Sequence, residues 1–153
     1  MEKFTRLLHE LSEELDLDLY PDPHGACVLL LDDRKQVHLE CDLSQQHLLV
    51  ITFICEIPAG KFRENTLRDA LKANYPHPLN GTLSYFEREN QLALFARLDC
   101  DPLNGKKLAE FLNAFIEKSK EWRKAIESGN TSLLVASAKK HTDDIFSMKA
   151  KQP

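Results

Sequence analysis

Four cysteines, six histidines and twenty-four carboxylates are the residues of this 153-residue chain with the chemistry to hold a metal or move a proton. Cys27, Cys41, Cys55 and Cys100 include no C-x-x-C pair and no nearby Cys/His knuckle. Each lies in an apolar, strand-like run, where a reduced thiol behaves as a small hydrophobe. Three of them are fourteen residues apart, a spacing that strand-plus-turn lengths produce without any metal. Free, metal-free thiols are the expectation. His24, His38, His47, His77 and His141 fall in expected turns, on strand faces or in the tail, with no obvious carboxylate or cysteine at ligand spacing, and His9 sits beside an apolar helical stripe. Asp16, Asp18 and Asp22 are spaced like part of a cation loop, but its glycine, the hydrophobe after it and the closing glutamate are missing. No G-x-G-x-x-G, P-loop, G-x-S-x-G or H-E-x-x-H occurs, and five dispersed glycines cannot cradle a phosphate. These residues point to no catalytic, cofactor or metal site. The expectation is a protein that is not an enzyme.

Composition fits one folded domain. With 42% apolar residues the chain can bury a core without disulfides. Its apolar runs fall far short of the ~18 residues that a membrane span needs, and residues 1–14 are too charged for a secretory leader. A cytoplasmic protein with no membrane insertion is expected. Net charge is −4, unevenly spread: residues 1–60 hold twelve acids against four bases. The densest basic stretch, Lys118, Lys120, Arg123 and Lys124, alternates with Glu117, Glu121 and Glu127. That is a solvated helix face rather than the basic stripe of a nucleic-acid binder.

Periodicity orders the elements. Phe4, Leu7, Leu8, Leu11 and Leu15 make one helical stripe over residues 3–15. Residues 26–31 are continuously apolar, Val37, Leu39, Cys41 and Leu43 alternate with polar residues, and residues 48–57 are apolar on both faces. Links this short require an antiparallel meander. A helix is expected over 61–75, a hairpin over 82–88 and 92–100, and a long helix over 105–127 with Leu108, Phe111, Leu112, Phe115 and Trp122 on one stripe. The order α-βββ-α-ββ-α defines an α+β fold with a twisted antiparallel sheet packed by helices, and argues against a parallel nucleotide-binding sheet. One domain over 1–128 and a mobile, dispensable tail over 129–153 are expected.

The strands carry more apolar surface than one layer of helices covers, and such an excess on a soluble domain implies a partner. A turn over Asp32–Lys35 puts Val28 and Leu30 on the core face with Val37, Leu39 and Cys41. A turn over Ser44–Gln46 brings Leu49, Ile51 and Phe53 to that same face. Leu29, Leu31, Val50 and Ile54 are then left as an open apolar strip for a partner, although a one-residue slip exchanges the faces of a strand.

The element order and several strings resemble the class I chaperones of bacterial type III secretion, over about Phe4 to Ile126. Leu67, Leu71, Ala73 and Asn74 match an L-x-x-x-L-x-A-N pattern in the middle helix. Gly81, Leu83 and Glu87, followed by Leu92 and Leu94, resemble the glycine-led second hairpin of that family. Phe115-Ile116-Glu117 with Trp122-Arg123 is similar to its last helix. The resemblance implies an ATP-independent, cofactor-free homodimer that holds an effector's N-terminal segment extended. It also implies an interface on the middle helix and second hairpin, here Leu67, Ala70, Leu71, Tyr75, Leu92 and Leu94. The alternatives are a small regulatory or sensory protein-binding domain of similar fold, or an enzyme whose site carries no recognisable motif.

Overall fold

The computed structural model describes residues 2–32 and 34–135. The elements are α1 (Glu2–Leu15), β1 (Ala26–Leu30), β2 (Gln36–Cys41), β3 (His47–Glu56), α2 (Lys61–Ala73), β4 (Thr82–Phe86), β5 (Gln91–Asp99) and α3 (Gly105–Glu127), with a single 3-10 turn at Glu87–Glu89. The strands form one antiparallel sheet in the order β1-β2-β3-β5-β4. The α-βββ-α-ββ-α order and the α+β class are as expected.

One side of the sheet carries the core. Phe4, Leu7, Leu8 and Leu11 from α1 join Leu108, Leu112 and Phe115 from α3 over Leu29, Leu39, Val50 and Leu94. Two glutamine and glutamate side chains fix how α1 sits. Gln45 accepts the Lys3 and Phe4 N–H groups at 3.0 and 3.3 Å, capping the start of α1, while the Glu10 carboxylate accepts the Gly105 N–H at 2.9 Å, at the start of α3. Asn104 caps α3 through the Lys107 N–H at 2.8 Å. The second helix is clamped to β4 by Asn74, whose side chain donates to the Leu83 carbonyl at 2.8 Å and accepts the Leu83 N–H at 2.9 Å.

Two loops differ by one residue from their expected lengths, and in opposite senses. Leu31 N–H donates to Lys35 O at 2.8 Å, so the β1–β2 loop is three residues, 32–34, with Arg34 in the left-handed region at φ 66°. Asp42 N–H donates to His47 O at 3.1 Å, so the β2–β3 loop is four residues, 43–46, with Gln45 at φ 56°. Val37 therefore pairs with Leu29 and with Thr52, and Leu39 with Cys27 and Val50. The faces of β1 and β3 are exchanged relative to the expected ones.

The start of the presumed tail is also fixed to the domain. Thr131 is buried and its hydroxyl donates to Asp69 of α2 at 2.6 Å, while Leu134 packs on the core. These contacts fall within the segment expected to be a mobile tail from residue 129. Residues 136–153 lie outside the described residues.

Candidate functional site

The face of the sheet away from α1 and α3 is the distinctive surface. Val28 and Leu30 on β1 are 46% and 66% exposed, and Ile51 and Phe53 on β3 and Phe95 on β5 are half-buried among their strand neighbours. Cross-strand pairing makes these residues contiguous: Val28 pairs with His38, His38 with Ile51, and Ile51 with Phe95. Phe86 at the end of β4 stacks edge-on against Phe53, with centroids 5.3 Å apart. The buried residues of all three helices join the core on the other side, so among the described residues no helix covers this strip. Strand β1 also ends the sheet, leaving one edge of its backbone without a strand partner.

The strip becomes polar at one end. Glu40, Asp42, His47, Leu49 and Arg97 surround a shallow cavity of about 260 Å³ there. His47 Nδ1 donates to Asp42 Oδ2 at 2.9 Å, and Nε2 faces Asp99 Oδ1 at 3.6 Å. Carboxylates thus flank a histidine for which the sequence suggested none, because Asp42 reaches it around the loop and Asp99 across the β3–β5 pair. The His47 ring, the loop N–H groups and the Ser44 hydroxyl hold the Asp42 carboxyl down at about 2, against an ordinary 3.8. A depressed carboxyl stabilises the fold fully above 3.8, and that contribution disappears as pH falls from 3.8 through about 2. Acid unfolding of Asp42→Asn, followed by circular dichroism, is therefore expected to depend less on pH across that window than unfolding of the native chain. Among the described residues no group of three or more His, Cys, Asp or Glu is placed to hold a metal.

Of the four residues expected to form a partner-binding strip, Leu29, Val50 and Ile54 are 2%, 0% and 2% exposed and belong to the core. The correction follows from the two loop lengths. Leu31 is half-buried against the core and lines a small cleft with Ser119 and Arg123 of α3. The open strip consists instead of Val28, Leu30, Ile51, Phe53 and Phe95. Of the residues expected at a dimer interface, Leu71 and Tyr75 are 70% and 81% exposed and Leu67 is half-buried. Ala70, Leu92 and Leu94 are core residues, which removes them from any surface contact. Alternation places Leu92 and Leu94 on the helix-covered side of β5, and Ala70 lies on the face of α2 turned toward the domain.

These features define an α+β domain whose conspicuous surface is an uncovered apolar sheet face rather than a catalytic cleft. The chain belongs to the Tir chaperone protein (CesT) family, whose model matches residues 6–123. Among curated proteins none matches the sequence. Solved structures share the fold. A structure described as the HopA1-SchA chaperone-effector complex aligns with a TM-score of 0.66 at 22% identity, covering 80% of this chain and 94% of the other. The Yersinia pestis type III secretion chaperone SycH, in complex with a fragment of YscM2, aligns at 0.65 and 21%, covering 78% and 98%. The ExsC-ExsE complex aligns at 0.64 and 20%, covering 82% and 94%.

Proposed function

We propose that this protein is a type III secretion chaperone that holds the N-terminal segment of an effector in extended form, without ATP, and keeps it soluble for export from the bacterial cytoplasm. The observation that carries the reading is the uncovered apolar face beside the free edge of β1, in a chain of the CesT family. An extended segment gains main-chain hydrogen bonds along such an edge, and its alternate side chains meet Val28, Leu30 and their neighbours on β3. Segments that stay unfolded have few means of hiding their own apolar residues, so a matching strip suppresses their association. The structure described as a chaperone-effector complex, and that of the type III secretion chaperone SycH with a YscM2 fragment, support the same reading. Hydrogen exchange with and without an effector's N-terminal segment tests it. Slowed exchange of the β1 amides on binding is expected; a segment that binds while β1 and the strip exchange as before overturns it.

The protein acts as a homodimer in this reading, joined through the exposed side of α2. Leu71 and Tyr75 are large apolar groups left in water on or just beyond that helix, and a stable interface there has to bury more than about 1,000 Å². Light scattering at tens of micromolar is expected to give twice the chain mass. Leu71→Asp with Tyr75→Asp is expected to give a folded monomer, because symmetry removes each contact twice.

A further inference from the structure

A histidine sits at the centre of the apolar strip. His38 on β2 points outward in phase with Gln36 and Glu40, while Val37 and Leu39 enter the core. Its cross-strand partners are Val28 on β1 and Ile51 on β3, both part of the strip. The imidazole is half-buried between them and, among the described residues, has no hydrogen-bond or ion-pair partner. The strand order makes the position unavoidable. Strand β2 lies between β1 and β3, with neighbouring strands about 4.8 Å apart. A segment whose side chains reach from Val28 to Ile51 therefore lies over His38. The outward residues beside it, Ala26, Val28 and Leu30 on β1 and Leu49, Ile51 and Phe53 on β3, do not titrate. Glu40 and Arg97 face the same side, one on each flank of Leu49, but both are exposed at the polar end with Asp42, His47 and Asp99.

We propose that His38 couples effector binding to a proton: the covered ring has to be neutral, so the protein holds its segment in neutral conditions and lets it go as the surroundings turn acidic. The inference rests on the function proposed above, because it needs the segment to lie on the strip. In the free protein the ring faces outward, where water can solvate either form. Under a layer of apolar side chains an imidazolium loses that solvation and gains no carboxylate in exchange, whereas a neutral ring loses much less. The exposed Glu40 carboxylate offsets little of this, because water and salt screen it. The complex then carries fewer protons than the free protein in acid. By linkage its affinity falls as pH falls through the range in which imidazoles titrate.

The test titrates the full chain calorimetrically with an effector's N-terminal segment, acetylated at its N-terminus and with any histidine replaced by glutamine. Such a segment has no group that titrates between about pH 5.5 and 7.5. Over that range Kd is expected to rise about tenfold toward acid, the factor for one imidazole that is half-charged near about 6.5 when free and neutral when covered. About one proton is expected to leave per segment bound at the acid end. His38→Phe and His38→Gln, both permanently neutral, are expected to bind equally at the two ends of the range, and His47→Gln to keep the tenfold change. Hydrogen exchange of β1 is followed in the same samples. If β1 exchange slows on binding, a Kd that is constant with pH, a Kd that falls in acid, or a change that survives both His38 variants overturns this inference alone. A segment that binds while β1 and the strip exchange as before overturns the proposed function and this inference with it.

Discussion

Replacing Leu30 by Asp is expected to weaken the binding of an effector segment at least tenfold while leaving the fold and its unfolding temperature essentially unchanged. Leu30 is 66% exposed on the edge strand, so the free protein loses little packing when the side chain becomes polar. In the proposed complex an effector side chain covers the same position, and an apolar anchor that becomes fully buried contributes roughly 1.5–3 kcal/mol. That corresponds to about 10- to 150-fold in Kd, before the added cost of covering a carboxylate. The adjacent position behaves oppositely. Leu29 is 2% exposed among Val37, Leu39 and the α1 leucines, and Leu29→Asp is expected to unfold the domain because it places an unpaired charge in the core. Calorimetric titration of both variants, with thermal unfolding beside it, separates the two faces of β1. Normal affinity in a folded Leu30→Asp protein would move the binding surface off this strand.

The contrast between Leu29 and Leu30 also marks where the sequence stops being informative. Helical periodicity shows the faces of α1 and α3 because each has a polar side to give phase, and the buried Phe4, Leu7, Leu8 and Leu11 of α1 are the residues of its stripe. Strand β2 has phase for the same reason, through His38 and Glu40. Strands β1 and β3 are apolar on both sides, so only loop length sets which side faces the helices. That length depends on Arg34 and Gln45 taking left-handed backbone conformations, which neither residue type advertises. The one polar residue of the central β3 run, Thr52, even points into the core, where its hydroxyl donates to Gln36 O at 2.8 Å. Helix α2 misleads in another way. Its buried residues are the small Thr66, Ala70 and Ala73, which let it approach β4 closely under the Asn74 clamp, while the larger Leu71 stays outside. Hydrophobicity alone ranks those positions in reverse. The Asp42–His47–Asp99 group joins residues that only the β2–β3 loop and the strand register bring together.

Gly105→Ala is expected to lower stability by about 3 kcal/mol, the upper part of the range for overpacking a well-filled site. A Cβ added to Gly105 lies 2.5 Å from the Glu10 carbonyl carbon, 2.6 Å from its Cβ and 2.7 Å from its carbonyl oxygen. The obstacle is main chain, so rotating a side chain cannot relieve it; α1 has to withdraw from α3. Their contact closes the core, because Leu7 and Leu11 of α1 and Leu108 and Leu112 of α3 all belong to it. Helix propensity acts the other way, since alanine is favoured over glycine by about 1 kcal/mol inside a helix. At this site the clash dominates. An unfolding temperature lower by ~12 °C is expected at ~4 °C per kcal/mol for a chain of this size. Glu10→Ala is expected to cost only about 1 kcal/mol, through the hydrogen bond it gives up to the Gly105 N–H. Combining the two should not rescue Gly105→Ala, because alanine at position 10 keeps the same backbone and Cβ. Gly129→Ala provides the comparison: at φ 80° with no atom within 4 Å, it carries backbone strain but no clash, and is expected to cost about 1–2 kcal/mol. A Gly105→Ala protein that melts as high as the Gly129→Ala protein would show that α1 and α3 can separate at little cost, and that their contact is not what closes the core.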